Sequence, residues 1–114
     1  MTGERAGEPL PRRGEIWWVR VDKRRPAIVV QSDVVREPRV GSFLVVPLTS
    51  RLHLEGLPGN VRLDRRSTGL SKPSVANVYD VQKVLRGDLL ECAATLPPDR
   101  LSEVGQGLRF VLGL

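Results

Sequence analysis

A short apolar run directly after a proline, residues 27–30 (AIVV), constrains the fold more than any other feature of the sequence. A run of this length without polar alternation is typical of a strand that is buried on both faces. Proline is accepted as the first residue of a strand. We therefore predict a central strand over residues 27–30, and such a strand needs paired neighbours that the rest of the chain has to supply.

The segment before this run, residues 15–22, has the two-residue period of a half-buried strand. Trp17 and Val19 lie on one predicted face, whereas Trp18 and Arg20 lie on the other. We assign Trp17 to the core. Because so few residues separate this segment from the central strand, the two are predicted to form a tight antiparallel hairpin.

Several other segments predict short strands separated by loops. Strands are predicted over residues 42–47, 61–63, 75–84 and 89–96, and loops over residues 32–41, 51–60 and 65–74. Pro47 is expected to end its strand, and the loop 51–60 is expected to be mobile. Cys92 lies in an apolar stretch, so we predict that it is buried rather than reactive.

Only the C-terminal segment has the period of a helix. From residue 97 onward, apolar residues recur every three or four positions, which makes one apolar face. Asp99 or Ser102 is predicted to cap the N-terminus of this helix. Several short strands and one terminal helix favour a mainly β fold, namely a small and partly open barrel.

The length and composition indicate one domain without a membrane span. The 114 residues suffice for a modest core. We assign residues 13–114 to this domain and residues 1–12 to a flexible tail. No apolar run has the length of a membrane span and no secretory signal is recognisable, so we expect a cytoplasmic protein. With one cysteine and one histidine, the sequence predicts no intramolecular disulfide, no metal site and no cofactor.

The net charge of +5 and the pI near 10.3 indicate a protein that binds polyanions. Two short segments concentrate the charge, because residues 20–25 contain four basic residues and one acidic residue and residues 62–72 have the same excess. The alternative is an ordinary solvated surface, since lysine and arginine are common on any exposed face.

Five segments, taken in their order along the chain, resemble the MazF/PemK family of toxin endoribonucleases. They are residues 13–17 (RGEIW), 25–30 (RPAIVV), 45–50 (VVPLTS), 69–75 (GLSKPSV) and 108–114 (LRFVLGL). The resemblance implies an SH3-like barrel of the CcdB/MazF type with a C-terminal helix, assembled as a homodimer. It also implies metal-independent, sequence-specific cleavage of single-stranded RNA, and a cognate MazE-like antitoxin whose C-terminal segment occupies the RNA groove.

The family's catalytic pair falls on two strand ends of this chain. The arginine before the proline is Arg25, and the first hydroxyl residue after Pro-Leu is Thr49. RNA is cleaved without a metal when its own 2′-hydroxyl attacks the adjacent phosphorus, which leaves a 2′,3′-cyclic phosphate and a 5′-hydroxyl. A guanidinium stabilises charge on the phosphate oxygens, and a hydroxyl can donate to the same oxygens. The alternative is that Arg25 is a solvated hairpin residue and that Thr49 bonds its own backbone.

Other basic and aromatic residues are candidates for binding the RNA chain. They are Lys23, Arg24, Trp18, Ser50, Arg51, His53, Arg65, Arg66 and Lys72. The cations would contact phosphates without reading sequence. Trp18 would stack a base or fill a dimer interface. His53 has the pKa class of a proton carrier, but an exposed loop histidine without a role is the simpler interpretation.

The sequence also departs from the family pattern. The loop before Arg25 is short, and residues 78–82 (VYDVQ) stand where the family has an Asp-Gln pair. We expect Lys23, Arg24 and the loop 51–60 to hold the RNA in place of the missing loop. Two other hypotheses remain: a CcdB-like toxin that targets gyrase through the terminal helix, for which Arg25 and Thr49 are dispensable, and an RNA-binding module that does not cut.

Overall fold

The computed structural model describes residues 10–35 and 39–114, which form seven strands and two α-helices. The strands are β1 (Glu15–Arg20), β2 (Arg24–Val29), β3 (Ser42–Thr49), β4 (Val61–Leu63), β5 (Ser74–Ala76), β6 (Gln82–Leu85) and β7 (Leu89–Thr95). The helices are α1 (Arg65–Thr68) and α2 (Pro98–Leu112), with 3₁₀ helices over Leu52–Gly56 and Arg86–Asp88. Most of the predicted tail, residues 1–9, and part of the predicted loop, residues 36–38, lie outside the described residues.

Strand β2 lies at the centre of the sheet, as the sequence predicts. The strand order is β4-β5-β3-β2-β1-β7, and β6 pairs with β3. Successive side chains of a strand point to opposite faces, and those of β2 enter two different core clusters. Ile28 belongs to one cluster, whereas Ala27 and Val29 belong to the other. The apolar run is therefore buried on both faces because it separates two parts of the core.

On one edge of β3 the pairing with β2 ends at Pro47, whereas on the other edge β5 pairs with the last two residues of the strand. Ala27 of β2 pairs with Pro47, but two residues later Thr49 pairs with Val75 of β5. The prediction that Pro47 ends the strand is wrong. Proline lacks an N–H donor, but β3 continues past it to Thr49, and the carbonyl of Pro47 accepts from the Asn77 N–H at 3.1 Å.

The strand predicted over residues 75–84 is in fact two strands, β5 and β6. A turn separates them, in which the Asp80 N–H donates to the Asn77 carbonyl at 3.1 Å. Both strands pair with β3, β5 at its C-terminal end and β6 along its N-terminal half. The chain must turn between them to meet the same strand twice, and asparagine accepts such turns readily.

Two predicted loops contain short helices. The loop 51–60 includes the 3₁₀ helix Leu52–Gly56, and the loop 65–74 begins with α1. Asp64 caps α1, because its Oδ1 accepts from the Ser67 N–H at 2.8 Å. This backbone hydrogen bond stabilises the carboxylate and lowers the pKa of Asp64. Gly69 ends the helix with a φ of 73°.

Helix α2 packs its apolar face against the sheet. Val104 is fully buried, and Leu101, Leu108 and Val111 pack partly buried against the same core cluster. The caps predicted from Asp99 and Ser102 are wrong, since the helix follows Pro97 and has no side-chain cap. Proline is favoured at the first helical position because its missing N–H would be unpaired there anyway. No helix within the described residues has the length and apolarity needed to cross a bilayer.

Cys92 is exposed on β7, so the prediction of a buried thiol is wrong. Strand β7 is the edge strand of the sheet order and pairs only with β1 in that order. Its other edge has no neighbouring strand in that order, so its apolar residues are incompletely covered. Partial burial nevertheless raises the pKa of the Cys92 thiol, and the nearby Glu15 carboxylate raises it further. Trp17, predicted as core, packs partly buried against the cluster that contains Val19.

Candidate nucleic-acid cleft

A cleft of about 480 Å³ opens where β2 and β3 part. Continuing the register from the Ala27–Pro47 pair would set Arg25 opposite Thr49. The pairing of β2 with β3 ends at the Ala27–Pro47 pair, however, while β3 continues to Thr49 along β5, which lies on its other edge. Arg25 and Thr49 therefore flank the gap between the two diverging strands, and both line the cleft. We call this space the Arg25 cleft.

The Arg25 cleft brings together five of the residues singled out from the sequence. Besides Arg25 and Thr49 they are Lys23, Ser50 and Arg51. Three of the five side chains are cationic, which suits an anionic ligand.

Besides Ser74 on β5, the sequence interpretation did not include two further polar residues of this cleft, Asn77 and the acidic Asp80. They lie on the turn between β5 and β6, where a continuous strand was expected. The signal in the sequence was Asn77 itself, since asparagine is favoured in turns.

The guanidinium of Arg25 is only weakly engaged by the protein. Its Nε lies 3.8 Å from Asp22 Oδ1, and the two side chains are 46% and 78% exposed. An ion pair at this distance and exposure contributes little. Arg25 therefore keeps most of its N–H donors available to an anion in the cleft.

The hydroxyl of Thr49 is held by its own backbone turn. Its Oγ1 accepts from the Arg51 N–H at 3.2 Å, as expected from the alternative that Thr49 bonds its own backbone. That bond uses a lone pair of the oxygen, so the hydroxyl proton stays free to donate. The turn orients the hydroxyl without occupying its donor.

A second pocket of about 340 Å³ adjoins the Arg25 cleft, and we call it the Trp18 pocket. Ser50 and Ser74 line both spaces, so the two are neighbours, and together we call them the groove. Trp18 and Lys72 line the Trp18 pocket. An aromatic ring beside a cation is a suitable surface for a base and its phosphate.

Arg24 acts on the tryptophan rather than in the cleft. Its guanidinium lies 4.5 Å from the centroid of the Trp18 ring and is also paired with Glu91. A cation over an indole face is attracted by the ring quadrupole. Arg24, paired with Glu91, therefore covers one face of the Trp18 ring.

Besides Arg24, three predicted RNA-binding residues do not line this groove. His53 is exposed on the 3₁₀ helix Leu52–Gly56, and Arg65 and Arg66 are exposed on α1. Among the described residues that line the Arg25 cleft or the Trp18 pocket, none of the three is found. A role for these residues in RNA binding remains a prediction.

Comparison with known proteins identifies the family. Residues 12–112 match the family described as PemK-like, MazF-like toxin of type II toxin-antitoxin system. The endoribonuclease MazF6 of Mycobacterium tuberculosis is 34% identical over 110 residues, which span 90% of this chain and 96% of that protein.

Solved structures of the same family have the same fold. The Mycobacterium tuberculosis toxin MazF-mt6 superposes with a TM-score of 0.77 at 26% identity, covering 88% of this chain and 97% of that one. A MazE-MazF structure from Deinococcus radiodurans gives a TM-score of 0.75 at 29% identity, covering 94% and 99%. The predicted mainly β barrel of the CcdB/MazF type with a C-terminal helix is thereby confirmed. The chain belongs to the PemK-like, MazF-like toxins of type II toxin-antitoxin systems.

Proposed function

We propose that this protein is an endoribonuclease toxin that cleaves single-stranded messenger RNA at short sequence motifs in the cytoplasm. The observation that carries the proposal is that Arg25 and Thr49 line the same cleft. The 34% identity to an endoribonuclease over 90% of the chain supports it. The excess of basic residues is consistent with a polyanionic substrate.

In the proposed reaction the RNA supplies its own nucleophile. The 2′-oxygen forms a bond to the adjacent phosphorus and loses its proton, the bond from phosphorus to the 5′-oxygen breaks, and that oxygen gains a proton. The products are a 2′,3′-cyclic phosphate and a 5′-hydroxyl. Charge grows on the non-bridging oxygens during this exchange, so preorganised donors aimed at them lower the barrier.

Arg25 is assigned to those non-bridging oxygens. Its planar guanidinium matches two phosphate oxygens at once and stays charged at any physiological pH. Thr49 donates its free hydroxyl proton to the same phosphate. The hydrogen bond that Thr49 accepts from Arg51 N–H makes that hydroxyl a better donor, because hydrogen bonds in a chain polarise one another.

The groove is assigned to the flanking nucleotides. Lys23 and Arg51 line the Arg25 cleft and neutralise phosphates. Trp18 stacks a base in the adjoining pocket, and Lys72 contacts the next phosphate. Stacking on an aromatic side chain contributes about 1–3 kcal/mol per base and tolerates any base.

The protein is also expected to form a homodimer and to bind a MazE-like antitoxin. The support for the antitoxin is that a MazF relative from Deinococcus radiodurans is known in a MazE-MazF structure. The antitoxin's C-terminal segment would compete with RNA for the groove, so adding the antitoxin to the toxin should block cleavage.

The test is cleavage of single-stranded RNA by the purified protein in EDTA, with analysis of the 3′ ends. We expect cyclic phosphate ends, and Arg25→Ala should lower the rate by about 10²–10³-fold because a transition-state donor is lost. Lys83→Ala is the matched control, since Lys83 is an exposed cation on β6 that does not line the groove. RNA binding without cleavage by the wild-type protein would instead support a non-cutting module, and neither binding nor cleavage would support the CcdB-like hypothesis.

A further inference from the structure

A hydrogen-bond network beneath one wall of the Arg25 cleft fixes the side-chain amide of Asn60. Its Nδ2 donates to the Leu54 carbonyl at 2.9 Å, and its Oδ1 accepts from the Val78 N–H at 2.9 Å. A backbone carbonyl can only accept and a backbone N–H can only donate. Rotating the Asn60 amide by half a turn would place its N–H₂ against the Val78 N–H and its oxygen against the Leu54 carbonyl. The backbone therefore determines the orientation of this amide.

The orientation of Asn60 determines that of Asn77. Asn60 Nδ2 also donates to Asn77 Oδ1 at 3.3 Å, and the Tyr79 N–H donates to the same oxygen at 3.3 Å. Two donors face Asn77 from this side, so its amide must direct the oxygen towards them. Its Nδ2 is then the end that faces away from the network.

Asn77 is at the same time a lining residue of the Arg25 cleft. Two hydrogen bonds hold the Asn77 backbone, because its N–H donates to the Pro47 carbonyl at 3.1 Å and its carbonyl accepts from the Asp80 N–H at 3.1 Å. Within the described part of the chain, the Nδ2 group of Asn77 has no hydrogen-bond partner, and no buried polar side-chain atom there is unpaired. The amide N–H₂ is therefore a preorganised, solvent-accessible donor at the cleft.

We propose that Asn77 donates its amide N–H₂ to an acceptor oxygen of the RNA in the Arg25 cleft and that Asn60 is the residue that positions it. The acceptor is either a non-bridging phosphate oxygen or a base carbonyl, since both accept from a neutral amide. This inference rests on the proposed function. Asn77 would contact the substrate directly, whereas Asn60 does not line the cleft and acts through Asn77 and the Leu54 carbonyl.

Asn77→Asp is the sharpest test of the donor. The variant keeps an oxygen for Asn60 and Tyr79 but replaces the N–H₂ with an acceptor of nearly the same shape. We expect the KM for a single-stranded RNA to rise at least about tenfold, with an unchanged midpoint of thermal unfolding. Asn77→Ala removes the donor without adding charge, and it should also raise KM.

Tyr79→Phe is the matched control. The Tyr79 hydroxyl ties the same turn to the Pro58 carbonyl, outside the cleft. This variant loses one hydrogen bond of the turn but keeps both asparagines, so its kcat and KM should equal those of the wild type.

A double-mutant cycle tests the positioning role. Asn60→Asp keeps the acceptor for the Val78 N–H and loses the donor to Asn77. It should raise KM, yet the Asn60→Asp, Asn77→Ala double variant, which places no second carboxylate beside the first, should have the KM of Asn77→Ala alone, because both changes disable one donor. A purely structural role for Asn60 would give additive losses.

Sequencing the cleaved ends from a random RNA pool separates the two acceptors. If Asn77 contacts a base carbonyl, Asn77→Asp changes the preferred base at one position, and if it contacts a phosphate, all sequences lose affinity equally. A wild-type KM and cleavage pattern for Asn77→Asp would overturn the inference while leaving the proposed function intact. No cleavage by the wild-type protein would overturn the proposed function itself.

Discussion

At the scale of single residues, the hydroxyl of Thr49 combines a structural role and a proposed chemical one. The oxygen accepts from the Arg51 N–H, and the proton is available to the cleft. Thr49 and Arg25 also line one cleft. Closing the turn and donating to the RNA phosphate are therefore compatible roles for the Thr49 hydroxyl.

A pair of substitutions at Thr49 separates the two roles. Thr49→Val keeps the branched shape without the hydroxyl, and it should lower kcat by about tenfold to a hundredfold, as expected for a lost hydrogen bond to a charged group. Thr49→Ser keeps the hydroxyl and should retain most of the activity. Single-turnover cleavage of RNA measures both, and wild-type kcat in Thr49→Val would leave the hydroxyl only its role in the turn.

At the scale of secondary-structure elements, the contact between α2 and the segment before β4 depends on two glycines. Gly107 is buried, and a Cβ built on it would lie 2.0 Å from the Gly59 carbonyl oxygen. No real Cβ contact is that short, so a larger residue must push the helix off the loop. The backbones of α2 and this loop can pack this closely only because Gly107 has no side chain.

Gly107→Ala should consequently destabilise the protein by about 1–3 kcal/mol, the usual range for forced overpacking. Gly105→Ala is the control in the same helix, because its Cβ would approach only the flexible end of Arg13, at 3.4 Å. Alanine is the better helix former by about 1 kcal/mol, so Gly105→Ala should leave stability equal or raise it. Urea unfolding compares the two variants, and equal stability of both would contradict the close packing at Gly107.

At the scale of the whole molecule, four of the 18 basic residues line one groove. Lys23, Arg25 and Arg51 line the Arg25 cleft, and Lys72 lines the adjoining Trp18 pocket. Each phosphate that such a cation neutralises releases counterions. RNA affinity should therefore fall steeply as salt rises.

The salt dependence gives a prediction for individual cations. For single-stranded RNA the slope of log K against log salt is about −0.7 per neutralised phosphate, so Lys23→Ala should make the slope less steep by about 0.7. Lys83→Ala, outside the groove, should leave it unchanged. Binding is measured with an RNA in which 2′-deoxynucleotides prevent cleavage. An unchanged slope in Lys23→Ala would show that Lys23 contacts no phosphate.

Local patterns in the sequence were sufficient to predict the central strand, most of the other strands and the terminal helix. They were also sufficient to place two candidate residues at strand ends. The reason is physical, since the burial of a run such as residues 27–30 and the three-to-four spacing in α2 are properties of neighbouring residues. The segment 75–84 shows the limit. Its composition suits a strand throughout, but whether it stays one strand depends on which partner it meets.

The tertiary structure decided which strands pair, and with that it decided the site. Because the pairing of β2 with β3 ends at Pro47 while β3 runs on along β5, a gap opens between Arg25 and Thr49. Because β5 and β6 both pair with β3, the turn between them brings Asn77 and Asp80 to that gap. Pairing joins residues that are far apart along the chain, so no local pattern encodes it. The sequence by itself determined the strand ends that bear a guanidinium and a hydroxyl, and only the sheet topology decided that they share a cleft with Asn77.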